Sequence, residues 1–510
     1  MNFWKKEEKK IVFQGNKLNV VESCVDRHAE NFKTRNKLAL VLDDGKKLKK
    51  YSYAELNGEV NKVCNFIKTL KLKPNSRLAL FLPKCPEMYI NFLAIIKSGY
   101  IAVPLFEAFQ KGGLELRLDR GEISLTFTNK GLSKRLNKKY KRILVDNSEY
   151  KNKIKKQSCE FEAVLKNKFD TSMMIFTSST AGTPVAGVEI PHYGIVQQHF
   201  TAEYSLDLNE NDNYWCTAHP GWVTGSVYGI LAPFSIGCTN YVYCPHFDSK
   251  KFLKFITKNK ISVMYTAPTA LRLLKNDAKK IHFKNLRHVC SVGEALPPNL
   301  FRHFKKLGVE ICDTYWQTET GAIVVSNTRK GKKKAGSIGK AIPGIKCKIK
   351  NKMLYIKTPW PSMMHGIYKH PQMYKDYFEG KWFKTNDLIR KDFQNYFFFE
   401  ARKDDIIKTS GERVSPLEIE DILIKHPAVK ECAVIGVPDK IKGSVIKAFV
   451  TLNKNSNPSD QLAEKLKKFV KENYAGHSYP KIIEFRESLP KTNSGKIIRM
   501  RLREENSSKS

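Results

Sequence analysis

The chain predicts an α/β architecture in two parts: a large N-terminal α/β body with partly parallel sheets, then a small C-terminal α+β domain. Three observations carry this. Between Arg77 and Phe106, the apolar run Leu78-Ala79-Leu80-Phe81-Leu82 is followed by Met88, Phe92, Ile95 and Ile96 at helical spacing, then by Ile101-Ala102-Val103. Strand, amphipathic helix and strand in that order make a βαβ unit, whose strands run parallel. Further short apolar runs recur at 125–127, 143–145, 173–176, 263–265 and 289–292, spaced widely enough for helices between them. After Arg402 the texture changes.

There Ser415-Pro416-Leu417-Glu418 joins a capping box to a proline at the first helical position, and opens a helix carrying Leu417, Ile422 and Leu423. Strands at 432–437 and 446–452, a helix near 462–474 and a strand at 482–485 follow, ending in a polar tail. The boundary is expected between Lys403 and Asp404, giving domains 1–403 and 404–510.

A chain of 510 residues with 41% hydrophobic residues can bury a large core in more than one domain. Its first ten residues are charged where an export signal needs an apolar stretch, and the apolar segment 92–106 is interrupted by Lys97 and Pro104. No export signal or membrane span is expected. Eleven scattered cysteines without a Cys-x-x-Cys pattern fit a reducing cytoplasm. The net charge of +39 would attract nucleic acid. However, the lysine runs at 46–50, 134–142, 151–156 and 329–334 lack the interleaved aromatics of a base-stacking surface, so solvated faces are favoured and no nucleic-acid partner is expected.

Three segments carry chemistry. Met173 to Pro184 runs from a buried strand into a loop of hydroxyls and glycine, where small residues let N–H groups close on a polyphosphate. Asp313-Thr314-Tyr315-Trp316-Gln317-Thr318-Glu319-Thr320-Gly321 presents hydroxyls, an amide and a carboxylate beside two aromatics, a set suited to a nucleotide and a magnesium ion. Leu489 to Lys496 ends on a glycine turn with a lysine, which alone reads more readily as a solvated basic tail. A Ser/Thr loop is more often only a loop, and a polar strand end over aromatic core is an ordinary feature. Their joint order and spacing change the weighing.

Together the segments resemble the acyl-adenylate-forming enzymes and, within them, the acetyl-CoA synthetases. Four stretches narrow the resemblance: Pro104 to Phe109, Tyr214 to Gly225, Ser291-Val292-Gly293-Glu294, and Trp360 to Met364. It implies two half-reactions: acetate and magnesium ATP give an acyl-adenylate and pyrophosphate, then coenzyme A (CoA) takes the acyl group and AMP leaves. Propionate or another short-chain acid is the alternative substrate, and an impaired relative the alternative state.

The resemblance also implies roles. Thr177, Ser178, Ser179, Thr180 and Gly182 would hold the β- and γ-phosphates, and Gly293, Glu294 and Ala295 would flank the adenine. Asp313, Thr314, Tyr315, Gln317 and Thr318 would line the nucleotide, with Glu319 towards magnesium, and Asp387 and Arg402 would take the ribose hydroxyls. Arg413 would sit near the α-phosphate, where Lys496 neutralises the charge that develops, so Lys496, Thr318 and Glu319 are the catalytic candidates. Val223, Thr224, Val292 and Trp316 would enclose the acid, with the indole as floor. The small domain would be mobile about a hinge at Asp404, exchanging Lys496 for the Ser410-Gly411 face that forms the CoA tunnel, with Lys471 a candidate for a CoA phosphate. His426 and the carbonyls of Ile424 and Val429 match a stretch that can hold a structural magnesium, although His426 as plain sequence reads as a helix C-terminal cap.

The chain departs from the pattern at several points. Ser179 replaces a glycine, Val185-Ala186-Gly187 with one inserted residue replaces a lysine-glycine, Asn386 replaces a glycine before Asp387, His219 replaces an aspartate, and His365 replaces an arginine. Asparagine tolerates the left-handed backbone nearly as glycine does. A lost lysine in the phosphate loop removes a cation from the pyrophosphate.

Overall fold

A computed structural model describes residues 3–177, 186–278, 283–405, 407–409, 412–414, 416–439, 443–473, 479–491 and 497–507. The chain forms two compact units. The first holds the described residues up to Lys346 together with Lys357–Phe383, and the second holds Cys347–Ile356 and the described residues from Lys384 onward. The 403/404 junction thus falls inside the second unit's run of chain.

The elements of the first unit that position the site are, in chain order, β1 (Leu38–Asp43), β2 (Leu48–Ser52), α1 (Tyr53–Thr69), β3 (Arg77–Phe81), α2 (Pro86–Lys97), β4 (Ile101–Leu105), β5 (Leu125–Thr128), β6 (Arg142–Leu144), β7 (Thr171–Phe176) and β8 (Gly187–Pro191). They continue with α3 (Gly194–Tyr204), β9 (Asn213–Cys216), β10 (Thr239–Tyr243), β11 (Val263–Thr266), β12 (His288–Ser291), β13 (Ile311–Tyr315), β14 (Val325–Ser326), β15 (Lys340–Ala341) and β16 (Gly366–Ile367). The expected βαβ unit is β3, α2 and β4, with β3 and β4 parallel.

Two sheets result. One has seven strands in the order β16-β8-β7-β4-β3-β5-β6, and the other nine in the order β15-β14-β13-β12-β11-β9-β10-β1-β2. Each has a parallel centre; the nine-stranded sheet is antiparallel at both edges, whereas the seven-stranded sheet is antiparallel only where β7 pairs with β8 and β8 with β16, its β5–β6 edge being parallel. The parallel strands are near-continuous apolar runs because helices cover both faces; Leu78, Ala79, Leu80 and Phe81 are all fully buried. One face of the nine-stranded sheet packs Trp215, Met264, Val289 and Ile311 against Phe252, Phe255, Leu271 and Leu300. The seven-stranded sheet packs Val103, Leu105 and Met174 against Leu114 and Leu118.

In the second unit, Asp387–Lys391 pairs antiparallel with Phe397–Arg402. The helix expected after the capping box runs Pro416–Leu423, and Val429–Asp439, Gly443–Leu452 and Ile482–Phe485 form a three-stranded sheet. One correction concerns the expected polar tail: Arg499–Ser507 is a helix whose Leu502 is fully buried against Ala433, Ile435, Phe449 and Leu489. Two apolar residues among charges, Met500 and Leu502, gave too weak a periodic signal, and tertiary packing supplies the rest.

Candidate active site

The C-terminal ends of parallel strands are where open α/β sheets bind ligands, and three neighbouring strands of the nine-stranded sheet place the chemistry there. Thr266, Ser291 and Asp313 are aligned across β11, β12 and β13. Val292 and Trp316 each stand one residue past their strand, and both are buried.

The Asp313 carboxylate is turned onto protein donors. The Ser291 hydroxyl donates to Oδ1, the Thr314 N–H lies 3.2 Å from the same oxygen, and the Leu296 N–H lies 3.4 Å from Oδ2. Burial pushes this carboxyl up to about 7, with those donors opposing it. Thr314 is committed as well, donating to the Ser291 carbonyl at 2.8 Å. The Trp316 indole N–H donates to the Tyr265 hydroxyl at 3.1 Å.

Beyond β13 the chain makes a tight 3-10 turn, Thr318–Thr320. Gly321 closes it at φ +69°, and a Cβ there would meet the Ser362 carbonyl oxygen at 1.8 Å, so only glycine fits. The Trp360 indole N–H and the Ser362 hydroxyl donate to the Thr320 carbonyl at 2.9 and 2.8 Å. The Tyr377 hydroxyl donates to Glu319 Oε1 at 3.0 Å. Trp360 to Met364, singled out from sequence, is therefore a brace for the turn that carries Thr318 and Glu319.

Glu294 accepts from the Thr269 hydroxyl at 2.5 Å and from the Arg272 guanidinium, while Gly293 is exposed with φ +89°. Val223 and Thr224 are half-buried and open a helical segment that passes through a π-helical turn at Val227–Leu231. Gly225 lies so close to the preceding turn that a Cβ would meet the His219 carbonyl at 2.1 Å. His219 itself is buried and neutral: Nδ1 accepts from the Gly221 N–H at 2.9 Å, which leaves Nε2 to donate to the Leu82 carbonyl at 3.0 Å. Burial brings its pKa down to about 3. The residue standing where an aspartate was expected is a neutral fastener between the β3 end and the β9 end. His365 lies 2.9 Å from the Thr171 hydroxyl.

Thr177 is half-buried at the end of β7, its N–H on the Ala186 carbonyl at 3.3 Å. Ser178, Ser179, Thr180, Gly182, Val185, Ser410, Gly411 and Lys496 lie outside the described residues, as do the side chains of Arg413 and Asp404. In the second unit Asp387 and Arg402 are register partners, with Arg402 Nε 3.7 Å from Asp387 Oδ1. Asn386 has φ +57°, the left-handed conformation that glycine usually supplies. Lys471 is exposed on the helix Asp460–Asn473, near the Tyr479 ring. At 424–429, His426 Nδ1 accepts from the Ala428 N–H at 3.2 Å, and Asn453 Nδ2 lies 3.4 Å from the Val429 carbonyl. These contacts close the turn after the helix Pro416–Leu423.

The match to protein families follows this geometry. Residues 25–362 match the AMP-binding enzyme family, and residues 418–496 match the AMP-binding enzyme C-terminal domain. This chain belongs to the AMP-binding enzyme family. The acetyl-coenzyme A synthetase of Bacillus subtilis (strain 168) is 40% identical over 514 residues, spanning 95% of this chain and 90% of the relative. The acetyl-coenzyme A synthetase of Methanothrix thermoacetophila is 34% identical, over 96% and 83% respectively. A crystal structure of a Brucella canis acyl-CoA synthetase superposes with a TM-score of 0.76 at 29% identity, covering 99% of this chain and 97% of that one.

The strand ends described above lie within the AMP-binding match. Sequence reading did not single out three residues that hold the candidates in place: Tyr265, which accepts from Trp316, Tyr228, whose ring meets Trp316 edge-on, and Tyr377 on Glu319. The available signal was weak, a tyrosine just before the end of a strand in Tyr265-Thr266-Ala267-Pro268. No helix among the described residues is long and apolar enough to cross a membrane.

Proposed function

We propose that this chain is an AMP-forming acetate–CoA ligase, converting acetate, ATP and CoA to acetyl-CoA, AMP and pyrophosphate through an acetyl-adenylate. The observation that carries this reading is the Trp316 indole, buried one residue past β13 on the segment that also bears Asp313, Thr314, Thr318 and Glu319. The named relatives matched along nearly the whole chain are acetyl-coenzyme A synthetases.

In the first half-reaction an acetate oxygen attacks the α-phosphorus and the bond to pyrophosphate breaks. In the second, CoA sulfur attacks the acyl carbon, its proton is released and the bond to AMP breaks. Val223, Thr224, Val292 and Trp316 enclose the methyl group, the indole filling the space a longer chain would need. Thr177 to Gly182 hold the outer phosphates, Gly293 to Ala295 and Asp313 to Thr318 the nucleotide, and Asp387 and Arg402 the ribose. Asp313 does so indirectly: its carboxylate accepts from Ser291, Leu296 and Thr314 and its carbonyl from the Asn327 N–H, so it orders the strand end that carries Thr314 to Thr318. Lys496 and Arg413 meet the charge that develops at the α-phosphate. Glu319, held by Tyr377, suits a magnesium ion that binds through one carboxylate plus substrate phosphates and supplies charge neutralisation. Rotation about Asp404 exchanges Lys496 for the Ser410-Gly411 face between half-reactions, with Lys471 on a CoA phosphate.

The eleven free cysteines support a cytoplasmic setting. ATP–pyrophosphate exchange without CoA, run with acetate, propionate, butyrate and hexanoate, tests the reading. Acetate should be the best acid and propionate second; strongest exchange with butyrate or hexanoate would refute it.

A further inference from the structure

The proposed floor of the acid pocket is not a lone side chain. The Trp316 indole N–H donates to Tyr265 Oη at 3.1 Å, and Thr314 Oγ1 lies 2.7 Å from the same oxygen. Thr314 has one hydroxyl hydrogen, and it is directed to the Ser291 carbonyl at 2.8 Å. Tyr265 must therefore be the donor to Thr314, which orders the chain from Trp316 through Tyr265 and Thr314 to the Ser291 carbonyl. Every member is buried, Tyr265 and Ser291 completely.

The chain ends beside Val292, so it ties the floor of the pocket to one wall. A second support comes from Tyr228, whose ring meets Trp316 edge-on at 5.1 Å and 80° and Tyr265 at 5.3 Å and 84°. Tyr228 is itself fixed, its hydroxyl accepting from the Ile323 N–H at 2.9 Å and lying 2.7 Å from Thr201 Oγ1. Sterics hold the indole plane on one side, and the hydrogen bond fixes its rotation.

We propose that Tyr265 is a specificity-determining positioning residue, which sets acid length by locking the Trp316 indole in the orientation that closes the pocket. The inference rests on the reading of Trp316 as pocket floor. A buried indole N–H without an acceptor turns to find one, and an indole that turns opens the space it had filled. Tyr265→Phe keeps the ring packing against Tyr228 and removes only the hydroxyl, so it isolates the lock from the bulk.

The experiment measures kcat/KM for acetate and propionate on Tyr265→Phe, Trp316→Gly and the double variant. The ratio of the two acids is taken on each preparation, so that folded fraction cancels. Tyr265→Phe should raise the propionate-to-acetate ratio about tenfold, within the range one methylene commands, with KM for ATP unchanged. The double variant should match Trp316→Gly alone, because Tyr265 acts only through the indole. If Trp316→Gly changes the ratio and Tyr265→Phe does not, the lock is refuted while the pocket stands. If Trp316→Gly leaves the ratio unchanged, the pocket reading itself fails. Additive effects in the double variant would mean that Tyr265 acts by another route and would also overturn the proposal. Should Tyr265→Phe not fold, Thr314→Val removes the next acceptor in the chain and should shift the ratio in the same direction; no shift would refute the lock.

Discussion

Two regions implicated in substrate binding are built on opposite terms. At the ends of β11, β12 and β13 the polar groups are buried and directed onto one another: Trp316 onto Tyr265, Thr314 onto Ser291, and Ser291 onto Asp313. On the antiparallel pair of the second unit, the Arg402 side chain is 36% exposed and approaches Asp387 only to 3.7 Å. The first region has a shape fixed by its own hydrogen bonds, and the second pairs a partly exposed guanidinium with a buried carboxylate, the pair proposed to take the ribose. Selectivity between acids of similar chemistry needs a fixed shape, because a methylene is distinguished only by the room it is denied. Holding a nucleotide needs charge and hydrogen bonds, which a partly exposed guanidinium beside a buried carboxylate can supply.

The largest expected effect falls on charge. Lys496→Ala should slow adenylate formation by about 100- to 1,000-fold, and largely spare thioester formation from pre-made acetyl-adenylate. Equal loss in both half-reactions would sink the assignment. Next is shape: Trp316→Gly should lower acetate activity and raise the butyrate-to-acetate ratio by about 100-fold, while costing about 3–5 kcal/mol of stability as an aromatic leaves the core. Lost stability with no new acid would make Trp316 ordinary core.

Asp313 gives a pH test of the buried region. Burial pushes its carboxyl up to about 7 in the folded chain, against about 4 in an unfolded one. Between those values the folded state binds more protons than the unfolded one, so stability falls as pH rises, by up to about 1.4 kcal/mol per unit, and then levels above about 7. Asp313→Asn should remove that slope, as read from unfolding free energy between pH 5 and 8; parallel curves for the two proteins would show the carboxyl is ionised throughout. The smallest effect belongs to the exposed region. Arg402→Lys keeps the charge but loses the planar fork, so KM for ATP should rise about fivefold with the unfolding midpoint unmoved. A large stability loss there would erase the contrast between the regions.

Much of the architecture was legible because buried parallel strands are apolar runs, and each run expected at 78–82, 101–103, 173–176, 263–265 and 289–292 lies on a strand of the two sheets to within one residue at its end. Pairing was not legible. Nothing in the residues tells that β7 meets β8 antiparallel, or that Cys347–Ile356 joins the second unit rather than the first. The Arg499–Ser507 helix escaped because Leu502 is its one buried residue. At the site, Asp313, Thr314, Trp316 and Glu319 stood out because they share one short segment. Tyr265 and Tyr377 did not, because a hydrogen bond across 51 or 58 residues leaves no local pattern. The replacement of aspartate by His219 was visible, whereas its use as a neutral link from Gly221 to Leu82 depends on burial that only the fold reveals.

The central claim is that acetate is activated as an adenylate. Acetate labelled with oxygen-18 in its carboxylate tests this most directly, with the products separated and weighed by mass spectrometry after turnover with ATP and CoA. The attacking oxygen stays on phosphorus when CoA displaces AMP, so the account predicts one labelled oxygen in each AMP and none in pyrophosphate. Label in orthophosphate or pyrophosphate, or unlabelled AMP alongside labelled acetyl-CoA, would contradict it.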